Sequence, residues 1–305
     1  MKLDNIARSA GAGLEELVPS RYALQVGEID VLVVSDGVLP ISPQVLAANV
    51  EPSVFEGWLD EQFLPHDVAH WPLNVLVVRS GDQTILVDSG LGADPNLKLA
   101  KSGRLAERLE AAGIELASVT DVVLTHMHMD HIGGLIVDGM RDRLRADLRV
   151  HVAEAEVRFW ESPDFSRTAM PAGFPDALRG AAKRFMEQYG NQVRMFAEEY
   201  EVAPGVIAQR TGGHTPGHSL VRITSGGERL AFVGDAIFQV GFDCPDWQNG
   251  FEHDPEEATR VRIRLLQEAA ASGELLVATH LSFPSVGRVA VDGDAFRWVP
   301  AIWDY

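Results

Sequence analysis

The chain has 305 residues, the length of about two average domains or one large α/β unit, and its 46% hydrophobic and 23% charged residues exclude a disordered chain. Its 26 lysine and arginine residues are outnumbered by 44 aspartate and glutamate residues, which gives a net charge of −18. A surface this acidic repels phosphate groups, so neither nucleic acid nor an anionic membrane is expected as the main partner.

Cysteine content and apolar runs bear on where the protein works. The single cysteine, Cys244, excludes an intrachain disulfide and is typical of a reducing compartment. The first 20 residues contain no apolar segment long enough for a signal-peptide core, and no stretch approaches the roughly 18 apolar residues of a membrane span. We therefore expect a cytoplasmic protein that does not enter a membrane.

Strands are predicted first at residues 22–34 and 74–87, which are apolar and β-branched. The turn signal Arg-Ser-Gly-Asp at 79–82 divides the second run into a hairpin. A similar hairpin recurs at residues 219–233, around the turn Ser-Gly-Gly-Glu. The first hairpin ends on Asp88 and the second on Asp235, so the pattern predicts a pseudo-duplicated sandwich with an aspartate at each strand terminus.

Helices are predicted at residues 105–112, where Gly113 is a stop signal, and at residues 256–271. Residues 154–190 form an insertion in the domain, in which Pro163, Pro171, Gly173 and Pro175 predict short helices or a loop. Because no low-complexity linker divides the chain, we expect a single domain over residues 1–305, with an N-terminal extension of about residues 1–21.

Three of the ten histidines lie in one window, Thr-His-Met-His-Met-Asp-His-Ile-Gly-Gly at residues 125–134, after the predicted strand 122–124. In an extended segment residues two apart point the same way, so His126 and His128 can bind one metal ion. Asp130 and His131 begin the next turn and can face a second ion. Imidazole and carboxylate ligands suit Zn²⁺, and also Fe or Mn, and the absence of thiolate favours a site with open positions.

The pattern His-x-His-x-Asp-His-x-Gly-Gly resembles the signature of the metallo-β-lactamase fold hydrolases, and the likeness runs from Asp88 to His280. It implies an α+β fold, a four-layer αββα sandwich with two metal ions at the edge between the sheets. The resemblance assigns His126, His128 and His214 to one ion, Asp130, His131 and His280 to the other, and Asp235 as the bridging ligand.

The same resemblance implies a mechanism. Two zinc ions roughly 3.5–4 Å apart acidify a bridging water, so that hydroxide is the nucleophile, and Asp130 and Asp235 are the catalytic carboxylates. Asp88 is expected to orient a ligand histidine. His218 is expected to brace the turn after His214. His253, His66 and His70 have no ligand partner in the sequence and are expected at the surface or the pocket rim.

Within this superfamily the chain is most similar to the methyl-parathion-hydrolase-like enzymes and their lactonase relatives. The similarity lies at residues 27–37, 158–160, 279–287 and 296–300. It implies a small-molecule substrate, a compact and largely apolar phosphotriester, ester or lactone. The aromatic residues expected to line its pocket are Trp71, Trp160, Phe165, Phe174, Phe238 and Trp247.

Phe238 stands where the better-known N-acyl-homoserine lactonases carry a tyrosine, which disfavours a lactonase of that type. Two other functions stay open: hydrolytic dehalogenation of an activated aromatic ring, and a non-hydrolytic metal-binding or iron-dependent redox protein on the same fold. The family resemblance also implies a homodimer.

Overall fold

A computed structural model describes residues 18–93, 99 and 101–303 of the chain. The N-terminal extension predicted for residues 1–21 therefore lies almost entirely outside the described residues. No helix within the described ranges combines the length and the apolar character needed to cross a bilayer.

Seven strands form the first sheet, in chain order. β1 to β4 pair antiparallel, and β4 to β7 pair parallel. The strands are β1 (Arg21–Val26), β2 (Ile29–Ile41), β3 (Ala69–Ser80), β4 (Gln83–Val87), β5 (Asp121–Val123), β6 (Arg149–Ala153) and β7 (Val193–Phe196).

Seven further strands form the second sheet, in the order β14-β13-β12-β11-β10-β9-β8. All neighbours are antiparallel except β11 and β12, which are parallel. The strands are β8 (Glu199–Ala203), β9 (Val206–Arg210), β10 (Ser219–Ser225), β11 (Glu228–Phe232), β12 (Leu275–Val277), β13 (Gly287–Asp292) and β14 (Ala295–Pro300).

Helices cover the outer faces of both sheets. The helices are α1 (Pro52–Glu61), α2 (Leu105–Ala111), α3 (Met129–Ile132), α4 (Met140–Arg143), α5 (Glu154–Glu161), α6 (Phe174–Tyr189), α7 (Val240–Asp243) and α8 (Pro255–Ser272), with 3-10 turns at Pro43–Ala47 and Leu116–Ser118. α2, α5 and α6 pack on the first sheet, and α8 packs on the second.

Side-chain alternation along the strands separates the layers. Val75 and Val77 of β3 face the helices, whereas Leu76 and Val78 face the second sheet, where they meet residues such as Phe232. Because successive side chains of a strand point to opposite faces, β3 contributes to both cores at once. The predicted four-layer αββα sandwich is confirmed.

The two predicted hairpins are present, as β3–β4 and β10–β11, and each is followed by a parallel strand. The structure corrects two other predictions. The run 22–34 is two strands, because Gly27, at a φ of 58°, turns the chain. Residues 174–189 form one helix of 16 residues, since Pro175 stands in its first turn, where a proline needs no hydrogen-bond donor.

Candidate metal centre

The histidine-rich window occupies the loop after β5. His128 has extended dihedral angles and precedes α3, whose first residues are Met129, Asp130 and His131. The extended segment directs His126 and His128 to the same side, and the first turn of α3 adds the carboxylate and the third imidazole. The described geometry thus follows the local prediction from the motif.

The glycine pair that ends the motif allows α3 to lie against the chain after β4. A Cβ atom on Gly133 would lie 1.9 Å from the carbonyl oxygen of Leu91, and one on Gly134 would lie 2.1 Å from that of Ser89. Both distances are far below van der Waals contact, so any side chain would push α3 away. The approach is fixed by the bond from the Ser89 N–H to the carbonyl of His131, 2.7 Å long.

All seven predicted ligand residues lie together at the edge where the two sheets meet. Nε2 of His214 lies 3.1 Å from Nδ1 of His128, and Nε2 of His280 lies 3.1 Å from Oδ2 of Asp235. Asp130 lies 3.4 Å from the same His280 nitrogen. Among the described residues, three sets hold donor atoms close enough for a shared ion: His126, His128 and His214; His126, His131 and Asp235; Asp130, His131 and His280.

Hydrogen bonds outside the cluster hold three of these imidazoles by the nitrogen that faces away from it. Nδ1 of His131 donates to Asp88 at 2.8 Å, Nδ1 of His280 donates to the carbonyl of Pro72 at 2.8 Å, and Nδ1 of His126 lies 3.1 Å from the hydroxyl of Thr125. That hydroxyl donates to Asp88, so it can accept from His126. In the neutral form of each ring the proton is thereby placed on Nδ1 and Nε2 is left as a lone-pair donor.

Several atoms at the centre of the cluster have no hydrogen-bond partner. They are buried and include Nε2 of His126, Nε2 of His131 and Oδ1 of Asp235, although the last two lie 3.2 Å apart. A buried polar atom without a partner costs about 1–3 kcal/mol, so three of them together require another explanation. Once His131 has lost its Nε2 proton, all three are lone-pair donors, and a divalent cation would satisfy them at once. The residues present therefore fit a metal centre.

The protonation states of the first ligand set suit the same purpose, whereas His131 must lose a proton before it can bind an ion. Burial lowers the pKa of His126, His128 and His214 well below 6.5, and the neighbouring imidazoles add to the effect for His126 and His128. These rings are neutral near pH 7, the form that binds metal. Burial also opposes charge on His131, but the carboxylates of Asp235, Asp88 and Asp130 outweigh it and raise that pKa well above 6.5.

Glu156, at the start of α5, joins the two loops that carry the first ligand set. Its carboxylate is fully buried and accepts four hydrogen bonds, from the backbone N–H of Met127, the indole of Trp160, the hydroxyl of Thr215 and the N–H of Gly217. Met127 separates two ligand histidines, and Thr215 follows His214. Sequence reasoning missed Glu156; the one local signal is the spacing of four residues to its partner Trp160.

Five histidines lie outside the ligand set, and one of them, His151, is buried against Asp121, with 2.7 Å between Nε2 and Oδ1. His218 accepts from the backbone N–H of Asp235 at 3.2 Å and contacts Thr211 at 2.7 Å, which fits the predicted bracing role. His66 and His70 are exposed, as predicted. His253 is not at the surface: it is buried against the cluster, with its Nε2 3.2 Å from Nε2 of His128.

A narrow cavity of about 10 Å³ opens onto the cluster, room for about one water molecule. It is lined by two cluster carboxylates, Asp130 and Asp235, by His128 and by apolar side chains. Of the predicted pocket residues Trp71 and Phe174 line it, and they are joined by the unpredicted Leu39, Met129, Leu178 and Phe251. Phe238 stacks on His280 with ring centroids 5.7 Å apart.

Besides Phe238, three further predicted pocket residues do not line this cavity. The indole of Trp160 donates to Glu156, and Phe165 lies behind His253, with 5.1 Å between the rings. Trp247 packs 5.9 Å from the ring of Phe55, against α1. Sequence shows that these aromatics are near the motif loops, but their direction depends on partners far along the chain.

A four-layer sandwich with a buried histidine and aspartate cluster at the edge between its sheets is the architecture of metal-dependent hydrolytic enzymes of one superfamily. The family model of the metallo-β-lactamase superfamily matches residues 70–280, and the chain belongs to that superfamily.

Curated relatives match over part of their length. A "probable metallo-hydrolase" of Mycobacterium tuberculosis is 28% identical over 185 residues, which are 55% of this chain and 57% of the relative. A human acyl-coenzyme A thioesterase is 26% identical over 193 residues, 59% of this chain and 63% of the relative. The chain thus spans little more than half the length of the curated relatives it matches.

Solved structures match over nearly the whole chain. The dizinc quorum-quenching lactonase AidC, in complex with a product, has a TM-score of 0.83 at 25% identity, covering 94% of this chain and 99% of that one. AbOPH, a hydrolase of the β-lactamase superfamily, has a TM-score of 0.80 at 25% identity with the same coverage.

Proposed function

We propose that this protein is a dinuclear zinc hydrolase that cleaves a lactone or an ester of a compact, largely apolar molecule. The observation that carries the proposal is the buried cluster of three overlapping donor sets, beside a small cavity lined by cluster residues on one side and apolar side chains on the other. The likeness to a dizinc lactonase supports zinc and a lactone substrate. The net charge of −18 favours neutral substrates over polyanions.

His126, His128 and His214 would hold one ion and Asp130, His131 and His280 the other, with Asp235 between them. Two bound ions supply an acidified water and offset the charge that develops on the attacked oxygen. Asp235 is kept in place by the bond from its backbone N–H to His218. Asp130 has the cluster's most exposed carboxylate, at 12%, and lines the cavity, so it is placed to take the proton that the attacking water loses and pass it to the leaving group.

The test is turnover by the purified, zinc-loaded protein against acyl lactones, aryl esters, acyl thioesters, aryl phosphotriesters and halogenated aromatics, with and without a chelator. We expect lactone or ester turnover that the chelator abolishes and zinc restores. His126→Ala removes one ligand and should reduce turnover to near background, whereas His66→Gln, at an exposed histidine, should leave it unchanged.

Turnover that a chelator does not affect would overturn this mechanism. Metal analysis separates the other candidates, because one iron per chain without hydrolysis would favour redox chemistry instead. Turnover confined to the halogenated aromatics would replace the proposal with hydrolytic dehalogenation. Homodimer formation and a cytoplasmic location stay predictions; light scattering in solution measures the first, and fractionation of the source cells the second.

A further inference from the structure

His253 has an environment that its neighbourhood in sequence does not suggest. It lies between α7 and α8, just before Asp254, which caps α8. Its ring is enclosed by the rings of Phe159 and Phe165, at 4.8 and 5.1 Å, and of Trp160, at 6.3 Å. The open side of this aromatic enclosure faces His128. Such an enclosure fixes the plane of the ring and excludes water from its nitrogens.

Both ring nitrogens of His253 have a defined partner. Nδ1 lies 3.1 Å from the backbone carbonyl oxygen of Asp164, and Nε2 lies 3.2 Å from Nε2 of His128. A carbonyl oxygen can only accept, so Nδ1 of His253 carries the proton. Its Nε2 is then a lone pair, which can only accept from His128.

The tautomer of His253 determines the tautomer of its neighbour His128, a predicted metal ligand. His128 must carry its proton on Nε2 in order to donate to His253, and its Nδ1 is then the lone pair. That Nδ1 lies 3.1 Å from Nε2 of His214, inside the cluster. One backbone carbonyl, that of Asp164, therefore sets the tautomer of two successive imidazoles and the atom that faces the ion.

We infer that His253 is a positioning residue: it holds His128 in the tautomer and orientation that present Nδ1 to the first metal ion. This inference rests on the metal centre of the proposed function. The other ligand histidines with a defined outer bond are held by Thr125, Asp88 and Pro72, through Nδ1. In His128 the two nitrogens are exchanged: Nε2 faces away from the cluster and contacts His253, and Nδ1 faces into the cluster.

Two further contacts hold His253 in place. Its backbone N–H donates to the carbonyl of His214 at 2.8 Å, so the residue is tied to the other loop that supplies this ion. The preceding Glu252 forms a buried ion pair with Arg262 of α8. His253 is thus held by its own backbone bond and by the ion pair of the preceding residue, so its ring is a fixed hydrogen-bond partner for His128.

The experiment compares three variants by zinc affinity, measured in competition with a chromophoric chelator. His253→Phe fits the aromatic enclosure but offers no acceptor, His253→Gln offers an amide oxygen near the position of Nε2, and Phe159→Leu disturbs the enclosure while it leaves the acceptor. We expect His253→Phe to bind the ion of the His126, His128 and His214 set about 10- to 100-fold more weakly. His253→Gln and Phe159→Leu should stay within a few-fold of the wild-type protein.

The second ion, at Asp130, His131 and His280, should keep its affinity in every variant. Co²⁺ absorption gives a second readout, since the bands of the first site should change in His253→Phe and return in His253→Gln. Equal zinc affinity of His253→Phe and the wild-type protein would overturn the inference. So would equal weakening by His253→Gln or by Phe159→Leu, because packing rather than the acceptor would then matter.

Failure of the proposed function gives a different pattern. If the wild-type protein binds two ions but hydrolyses no compound of the panel, the proposed activity falls while the affinities still decide the role of His253. If the wild-type protein binds no divalent ion, both fall together.

Discussion

Glu156 shows how much one buried carboxylate can organise at the scale of a residue. Each of its oxygens accepts two hydrogen bonds, one oxygen from Met127 and Trp160, the other from Thr215 and Gly217. Burial raises its pKa, while the hydroxyl of Thr215 and the indole of Trp160 oppose that shift. Because the four partners lie on two ligand loops and on α5, the position of His214 relative to the motif loop depends on this side chain.

Glu156→Gln keeps the shape of Glu156 but turns one oxygen into an amide group that faces two donors. We expect a loss of about 1–3 kcal/mol in the free energy of unfolding, and weaker binding of the first ion than of the second. Denaturant unfolding of the metal-free protein and a zinc titration measure the two effects. Trp160→Phe is the matched control, since it removes one donor and leaves the link between the loops. An unfolding free energy equal to that of the wild-type protein would show that the carboxylate is not needed.

Which residues could be predicted from sequence depends on how far apart their partners lie. The ligands within residues 126–131 were predictable, because a short window contains both the residue types and their spacing. The contacts of Glu156 with Thr215 and of His253 with His128 span 59 and 125 residues, and no local pattern marks them. The resemblance to a known family placed His214, Asp235 and His280, which spacing alone could not have joined.

At the scale of elements, α3 depends on its close approach to the segment after β4. A Cβ atom on Gly134 would lie 2.1 Å from the carbonyl oxygen of Ser89. Since that oxygen belongs to the backbone, the contact can be relieved only by a shift of α3, which carries Asp130 and His131.

Gly134→Ala should therefore destabilise the protein by about 1–3 kcal/mol and weaken binding of the second ion. Gly180→Ala is the matched control: the same change in the exposed middle of α6 meets no atom within 4 Å and should stabilise the protein by up to about 1 kcal/mol. Thermal unfolding of both variants checks that their changes in stability have opposite signs, and a zinc titration measures how strongly each binds the second ion. Equal effects of the two substitutions would contradict this account of the motif's glycines.

Asp36 organises a second element, the segment between β4 and α2. It is the extra residue of a bulge in β2, and its buried carboxylate accepts backbone N–H bonds from Leu91, Gly92, Gly103 and Leu105. Burial raises its pKa from 3.8 to about 6, although these N–H groups oppose the shift. The folded protein therefore holds a proton on Asp36 more tightly than the unfolded chain does.

A group whose pKa is raised by folding contributes its full stabilisation when the pH is below the pKa of that group in the unfolded chain. The contribution is lost as the pH rises through the pKa of the group in the folded protein. We expect the unfolding free energy of the wild-type protein, relative to Asp36→Asn, to fall between pH 4 and pH 7 by on the order of 3 kcal/mol. Denaturant unfolding across this range measures the difference, with Asp82→Asn, in the exposed turn of β3–β4, as the baseline. A difference that rises with pH would contradict the predicted sign.

The elements were predictable where periodicity and turn residues agreed, as in the two hairpins and in α8. They were not predictable where the same residue type is found in two different structural contexts. Pro175 reads as a helix breaker but stands in the first turn of α6, and Gly27 within an apolar run is a turn because its φ is positive. The bulge at Asp36 has no sequence signal, since its reason is a set of backbone donors from another segment.

At the scale of the whole molecule, the cluster joins the two sheets. We expect zinc at about 100 times its dissociation constant to raise the free energy of unfolding by about 2.7 kcal/mol per ion, and the unfolding temperature by several degrees. His126→Ala, which removes a ligand of the first ion, should lose that ion's share of the increase. Calorimetry with and without zinc gives the comparison; an equal rise in both proteins would place the zinc elsewhere.

The division of the ligands between the halves of the sandwich also bears on the order of events as the chain is made. The loop after β5 supplies His126, His128, Asp130 and His131, whereas His214, Asp235 and His280 follow strands of the second sheet. Because synthesis proceeds from the N terminus, the first four donors exist before the last three, and the full set is assembled only when the second sheet has docked on the first. Neither sheet alone carries all seven donors, so the complete site exists only in the assembled sandwich.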